Sequence, residues 1–179
     1  MPVNYLIIIR VLLKTAHYLE RGKMKIFLHG LESSSKGTKA VFLGDRFPEM
    51  KIPDFTGSLS ERMQSLHAIL AGQNNIILIG SSFGGLMATI FAMEYPDAVE
   101  RIVLLAPALN LPEFSNYKMQ QIDIPTWMII GRDDIVTPPE KVVPMARKIF
   151  VNLHYTEVYD DHRLAGTFRK YDWETLLSW

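Results

Sequence analysis

Beyond residue 23 the chain reads as short apolar runs, each ending in Gly, Pro or a polar cluster, with amphipathic stretches of helical length between them. The runs predict strands at Lys25–His29, Met50–Pro53, Ile76–Ile79, Arg101–Ala106, Pro125–Ile130 and Tyr155–Tyr159. Ile76–Ile79 is apolar at every position, as a strand is when both faces of its sheet are covered. Helices are predicted over about Lys36–Phe47, Ser58–Ala71, Phe83–Tyr95 and Lys141–Phe150, with a last one beyond Gly166. Ser58-Leu59-Ser60-Glu61 reads as a capping box at the start of the second, because each side chain can satisfy a free N–H of the first turn. Pro96 ends the third, having no N–H to continue it.

Strands that alternate with helices imply a parallel sheet covered on both sides. The expected fold is a three-layer α/β/α sandwich with a mostly parallel sheet of about six strands. At 179 residues, and without repeats or a long linker, the chain is expected to hold one such domain, over residues 24–179. Residues 1–23 stand apart as an apolar extension: Tyr5–Leu13 is an apolar run broken by Arg10, too short to span a bilayer. It also lacks the leading positive charge and small-residue cleavage site of a signal peptide. Packing on the body of the protein, or on a second copy to form a homodimer, is the expected role. A membrane-surface anchor, or an accessory segment preceding a natural start at Met24, are the alternatives.

Composition narrows the function. Lys and Arg number 19, as do Asp and Glu, so no net field favours nucleic acid or an acidic membrane as partner. The absence of cysteine removes disulfides, a cysteine nucleophile and thiolate metal sites, and fits a cytoplasmic location. Gly30–Thr38 lacks the Gly-Lys-Ser/Thr ending of a phosphate loop, and Gly80–Gly85 lacks dinucleotide-fingerprint spacing. No histidine pair has metal-ligand spacing with a carboxylate between, so neither cofactor nor metal is expected.

In such sheets ligands bind beyond the carboxyl ends of the strands. Gly80-Ser81-Ser82-Phe83-Gly84 lies at such an end, directly before a helix. A sharp strand-to-helix turn strains the central residue and needs small neighbours two positions away on each side. Gly80 and Gly84 fit Ser82 in this way, whereas Ser81 has no such flanks. The hydroxyl then stands at a helix N-terminus, which stabilises negative charge. A serine nucleophile needs a base. Among the five histidines, His162 follows the last strand in Asp160-Asp161-His162-Arg163, on the same sheet edge as Ser82. His67 falls within a helix, where a packed or solvated role is expected, and His17 lies in the extension.

The base in turn needs a carboxylate to hold its tautomer. Gly131-Arg132-Asp133-Asp134 offers two, and either could instead cap the helix near Glu140. An oxyanion hole requires two N–H donors. Phe83 supplies one at the turn, and the candidate for the second is Leu31 in His29-Gly30-Leu31, with Gly30 allowing close approach and His29 orienting the loop.

These pieces, in the order Ser, Asp, His, resemble the α/β-hydrolase superfamily from about Met24 onward, and most closely its small lidless esterases, including the short bacterial YqiA-like group. The resemblance implies a compact α/β-hydrolase fold without a full cap domain. It also implies a Ser82–Asp134–His162 triad with the Leu31 and Phe83 amides as oxyanion donors. Position 82 is serine, against the aspartate-nucleophile branches, and only Pro107–Asp123 is free for a cap. The expected function is a serine esterase acting on short-chain or small carboxylic esters. A thioesterase or other acyl hydrolase, or a catalytically weak binding protein of the same fold, are the alternatives.

Overall fold

The computed structural model describes residues 24–117 and 120–178. Among the described residues five strands form one parallel sheet: β1 (Met24–Leu28), β2 (Ile76–Ser81), β3 (Val99–Leu105), β4 (Thr126–Gly131) and β5 (Leu153–Val158). They lie in sequence order, β1-β2-β3-β4-β5, so every crossover advances by one strand. All six residues of β2 are buried. The helices are α1 (Thr38–Arg46), α2 (Leu59–Leu70), α3 (Phe83–Glu94), α4 (Pro139–Ile149) and the short α5 (Trp173–Leu176).

Each helix starts where its local chemistry allows. The Ser58 hydroxyl accepts the Glu61 N–H and the Glu61 carboxylate accepts the Ser58 N–H at 2.8 Å, completing the expected capping box on α2. Apart from its last residue, α3 is buried all round, as a helix apolar on every side must be. It packs on β1, β2, β3 and α2. On another side, α1 and α5 are joined through the Phe42, Phe168 and Trp173 rings and by the Arg46–Glu174 ion pair.

The sixth strand, expected at Met50–Pro53, is instead a single bridge on the outer edge of β1. Lys51 donates to the Lys25 carbonyl at 2.8 Å and accepts from the Phe27 N–H at 2.9 Å. The next donor of a parallel ladder would come from residue 53, a proline with no N–H, so the pairing stops there. The last strand begins earlier than the expected Tyr155, because Leu153 pairs with Thr126 and His154 stacks on Trp127 at 4.7 Å. Beyond Gly166 the expected single helix is split into a 3₁₀ turn, Phe168–Lys170, and α5. The break follows from Asp172, whose carboxylate takes the Thr175 N–H and hydroxyl and starts a new helix.

Between β3 and β4 the described residues build a 3₁₀ turn, Pro112–Asn116, and a single bridge from Ile122 to Phe150, and they form no cap over the sheet. No helix among the described residues is long and apolar enough to cross a membrane. The extension expected over residues 1–23, His17 within it and the homodimer assigned to it lie outside the described residues.

Candidate active site

Ser82 occupies the turn between β2 and α3 with φ 53° and ψ −117°, a left-handed φ that a non-glycine residue rarely adopts. The turn is pinned from both sides. Ser82 donates its N–H to the Leu105 carbonyl at 2.9 Å, and its own carbonyl accepts the Gly85 and Ala108 N–H groups at 2.9 and 3.0 Å. A Cβ on Gly80 would strike the backbone of Gly84, and one on Gly84 would strike the Leu28 and His29 carbonyls. The two glycines therefore answer to backbone crowding, and Ser81 remains a buried strand residue.

The Ser82 hydroxyl lies 3.0 Å from His162 Nε2, and His162 Nδ1 lies 2.8 Å from Asp134 Oδ2. An ionised carboxylate only accepts, so Nδ1 carries the proton and Nε2 is left to accept from the serine. Asp134 is buried, while Asp133 is exposed. Burial alone would raise the Asp134 carboxyl. Donation by the Thr137 hydroxyl and N–H and by His162 outweighs it and holds the group below the ordinary carboxylate range. Asp134 does not cap the next helix. Its Oδ1 accepts the Val136 and Thr137 N–H groups at 2.9 and 2.8 Å, which fixes the carboxylate within its own turn.

Three supports escape sequence reasoning. The buried Thr137 hydroxyl donates to Asp134 Oδ2 at 2.6 Å and lies 3.2 Å from His162 Nδ1. The Asp160 carboxylate accepts N–H groups from Asp161, Gly166 and Thr167 and the Thr167 hydroxyl, closing the loop that carries His162. Burial would raise this carboxyl too, but those bonds hold it below its ordinary range. A Cβ on Gly131 would strike the Asp160 and Asp161 carbonyls, so glycine lets the Asp134 turn and the His162 loop touch. An Asx-type turn after Asp134 is the one signal in the sequence; Asp160 closes a loop of its own, and Gly131 answers to a distant segment.

The expected oxyanion donors lie on either side of Ser82. Phe83 is the first residue of α3, so its N–H has no acceptor within the helix. The Gly30 carbonyl accepts His29 Nδ1–H at 2.8 Å and the Ser33 N–H at 3.2 Å. Across the trans peptide the Leu31 N–H points the opposite way, and among the described residues it meets no acceptor. His29 Nε2 accepts the Phe55 N–H at 2.9 Å, so the buried ring is a neutral Nδ1–H tautomer that orients the loop. Gly30 differs from its expected role. A Cβ there would meet Ser82 Cβ at an ordinary 3.5 Å, so close approach does not demand glycine.

The site opens into a cleft of about 1110 Å³. Leu31, Ala108, Leu111, Ile135 and Val136 make part of its wall apolar, and Lys39, Arg163 and Arg169 make another part basic. Among the described residues no cluster of His, Asp or Glu could hold a metal ion.

A family model described as the alpha/beta hydrolase fold matches residues 30–119, a span that contains the Ser82 turn and Gly30–Leu31. The chain belongs to the α/β-hydrolase fold family. Solved structures agree in fold. Alpha/beta hydrolase domain-containing protein 10 from mouse superposes with a TM-score of 0.66 at 19% identity, over 80% of this chain and 83% of that one. Est1E from Butyrivibrio proteoclasticus superposes with a TM-score of 0.65 at 16% identity, over 82% of each chain. A monoacylglycerol lipase from Paleococcus ferrophilus gives 0.59 at 18%, over 84% of this chain and 92% of that one. By sequence, a segment of 57 residues is 32% identical to a pig (Sus scrofa) protein named 1-acylglycerol-3-phosphate O-acyltransferase ABHD5. The match spans 32% of this chain and 16% of that protein.

Proposed function

We propose that this chain is a carboxylic-ester hydrolase working through an acyl-enzyme on Ser82. The observation that carries the reading is the unbroken hydrogen-bond chain from Ser82 through His162 to Asp134, at the mouth of a cleft without a cap. His162 Nε2 takes the hydroxyl proton as Oγ attacks the acyl carbon, and the Leu31 and Phe83 amides receive the developing oxyanion. The imidazolium, steadied by Asp134, then protonates the departing alcohol. Water, deprotonated by His162, attacks the acyl-enzyme and restores Ser82. None of these steps calls for a cofactor. Leu31, Ile135 and Val136 are 53, 90 and 56% exposed at the cleft, an apolar rim suited to a short or small acyl group on an open surface. The domain is taken as residues 24–179, and the apolar extension over 1–23 as a seat for a second copy, which light scattering of the full chain tests.

Hydrolysis of p-nitrophenyl acetate by wild type and Ser82→Ala tests the reading. Loss of turnover in the variant is expected, and equal rates would remove the assignment. A series of acyl-chain lengths, with thioester analogues alongside, then defines the substrate class. The short match to a protein named as an acyltransferase favours one second reading: the acyl-enzyme passes its acyl group to an alcohol instead of water. Transesterification product formed in the presence of glycerol, in preference to free acid, would establish it.

A further inference from the structure

Arg62, on α2, is 4% exposed and has no place in the proposed chemistry. Its Nη2 donates to the Leu31 carbonyl and its Nε to the Gly57 carbonyl, both at 3.1 Å. Its guanidinium carbon sits 5.3 Å from the centre of the Phe83 ring. Nη1 is buried without a hydrogen-bond partner, and among the described residues no carboxylate pairs with this cation. A buried, unpaired guanidinium is costly, and an apolar side chain of similar size would ordinarily serve packing better. Burial accordingly pushes the Arg62 guanidinium below its ordinary value. Besides Gly57, its hydrogen bond and ring contact go to Leu31 and Phe83, the two residues whose amides are proposed above as oxyanion donors. His29 holds the carbonyl before the Leu31 N–H, and Arg62 holds the carbonyl after it, so both peptides around that donor are fixed.

We propose that Arg62 is a positioning residue for the oxyanion hole, bracing the Leu31 loop against the Phe83 end of α3 and placing uncompensated positive charge behind the two amides. This inference rests on the acyl-transfer reading above. The charge favours the state in which the carbonyl oxygen has become an oxyanion over the neutral ester, so it acts on kcat more than on KM.

The test compares wild type, Ser82→Ala, Arg62→Met and Arg62→Lys in ester turnover and in binding of an aryl trifluoromethyl ketone. In the ketone adduct the Ser82 Oγ–carbon bond forms, the carbonyl π pair becomes the oxyanion, and the serine proton passes to His162. Arg62→Met should lower kcat by roughly tenfold, less than the loss of a direct donor, with KM within about twofold. Ketone affinity should fall in parallel with kcat. Arg62→Lys keeps the charge without the fork and should recover most of both. Wild-type kcat and ketone affinity in Arg62→Met, or a loss confined to KM, would overturn the proposal. Should Arg62→Met fail to fold, Arg62→Gln, which still can donate to the Leu31 carbonyl but is neutral, is read in the same way. Turnover abolished by Ser82→Ala upholds the hydrolase reading whatever Arg62 does, and turnover indifferent to Ser82→Ala overturns both.

Discussion

The Ser82 turn carries its signal within five residues, whereas the His162 loop is closed by its own Asp160 and aimed by segments far along the chain. The Ser82 turn has glycines at 80 and 84, each excluded from carrying a side chain by backbone atoms, and a buried strand and helix clamp it at both ends. The His162 loop has no comparable glycine spacing. It is folded by Asp160, seated against Gly131, and aimed by Asp134, which Thr137 holds in turn. Ser82 thus sits between deeply buried elements, and His162 sits on a surface loop whose place is set by polar contacts. Loss of one support should leave the first half nearly intact and displace the second.

That contrast can be attacked at several points. The largest effect belongs to Ser82→Ala, which should reduce ester turnover by roughly 10⁶-fold or to the assay floor while leaving the melting temperature near that of wild type. Next, Asp134→Asn should lower kcat by roughly 10⁴-fold, because an amide that donates to Nδ1 selects the wrong imidazole tautomer. Asp133→Asn, one residue away and exposed, should change turnover by less than about threefold. If Asp133→Asn proved the more damaging, the His162–Asp134 hydrogen bond would not be the working one.

Glycine substitutions sharpen the comparison at the seam between the regions. Gly131→Ala forces a Cβ against the Asp160 and Asp161 carbonyls and should cost about 1–3 kcal/mol in chemical denaturation, with turnover falling more than stability alone explains. Gly30→Ala, whose Cβ meets only ordinary contacts, should fold with stability within about 1 kcal/mol of wild type.

The smallest expected effect concerns pH. The Asp160 carboxyl titrates below its ordinary value of 3.8 when folded, so its ionised form contributes stability that is present above that value. The contribution is lost as pH falls through the depressed folded value. Asp160→Asn should therefore lower stability by about 1 kcal/mol at neutral pH. The gap to wild type should close in acid below pH 3.8. A gap that stayed constant into acid would mean that the carboxylate charge plays no part in closing the loop.

Legibility in the sequence followed the range of the interactions. The capping box of α2 was readable because Ser58 and Glu61 answer each other three positions apart. The Ser82 turn was readable from the fixed spacing of its two glycines around the serine, although the backbone that crowds Gly84 is distant, at Leu28 and His29. The missing sixth strand was not, since one proline at position 53 outweighs an otherwise apolar run only when its ladder partner on β1 is known. The choice between Asp133 and Asp134 also required tertiary structure. Adjacent carboxylates are chemically alike, and only the approach of His162 and the burial beside Thr137 separate them. Thr137, Asp160 and Arg62 left little trace, because a threonine, a loop aspartate and a helical arginine are ordinary until their partners are placed.

The sequence by itself determined the alternation of strands and helices, the strained serine at the end of β2, and the order in which serine, aspartate and histidine appear. These are properties of local spacing and of backbone sterics over a few residues. Tertiary structure decided how many strands the sheet holds, which aspartate faces His162, that Gly131 and not Gly30 needs to be glycine for close approach, and that an unpaired guanidinium lies beneath Leu31 and Phe83. Each of these depends on burial and on contact between segments distant in the chain, and neither quantity is written in any short stretch of residues.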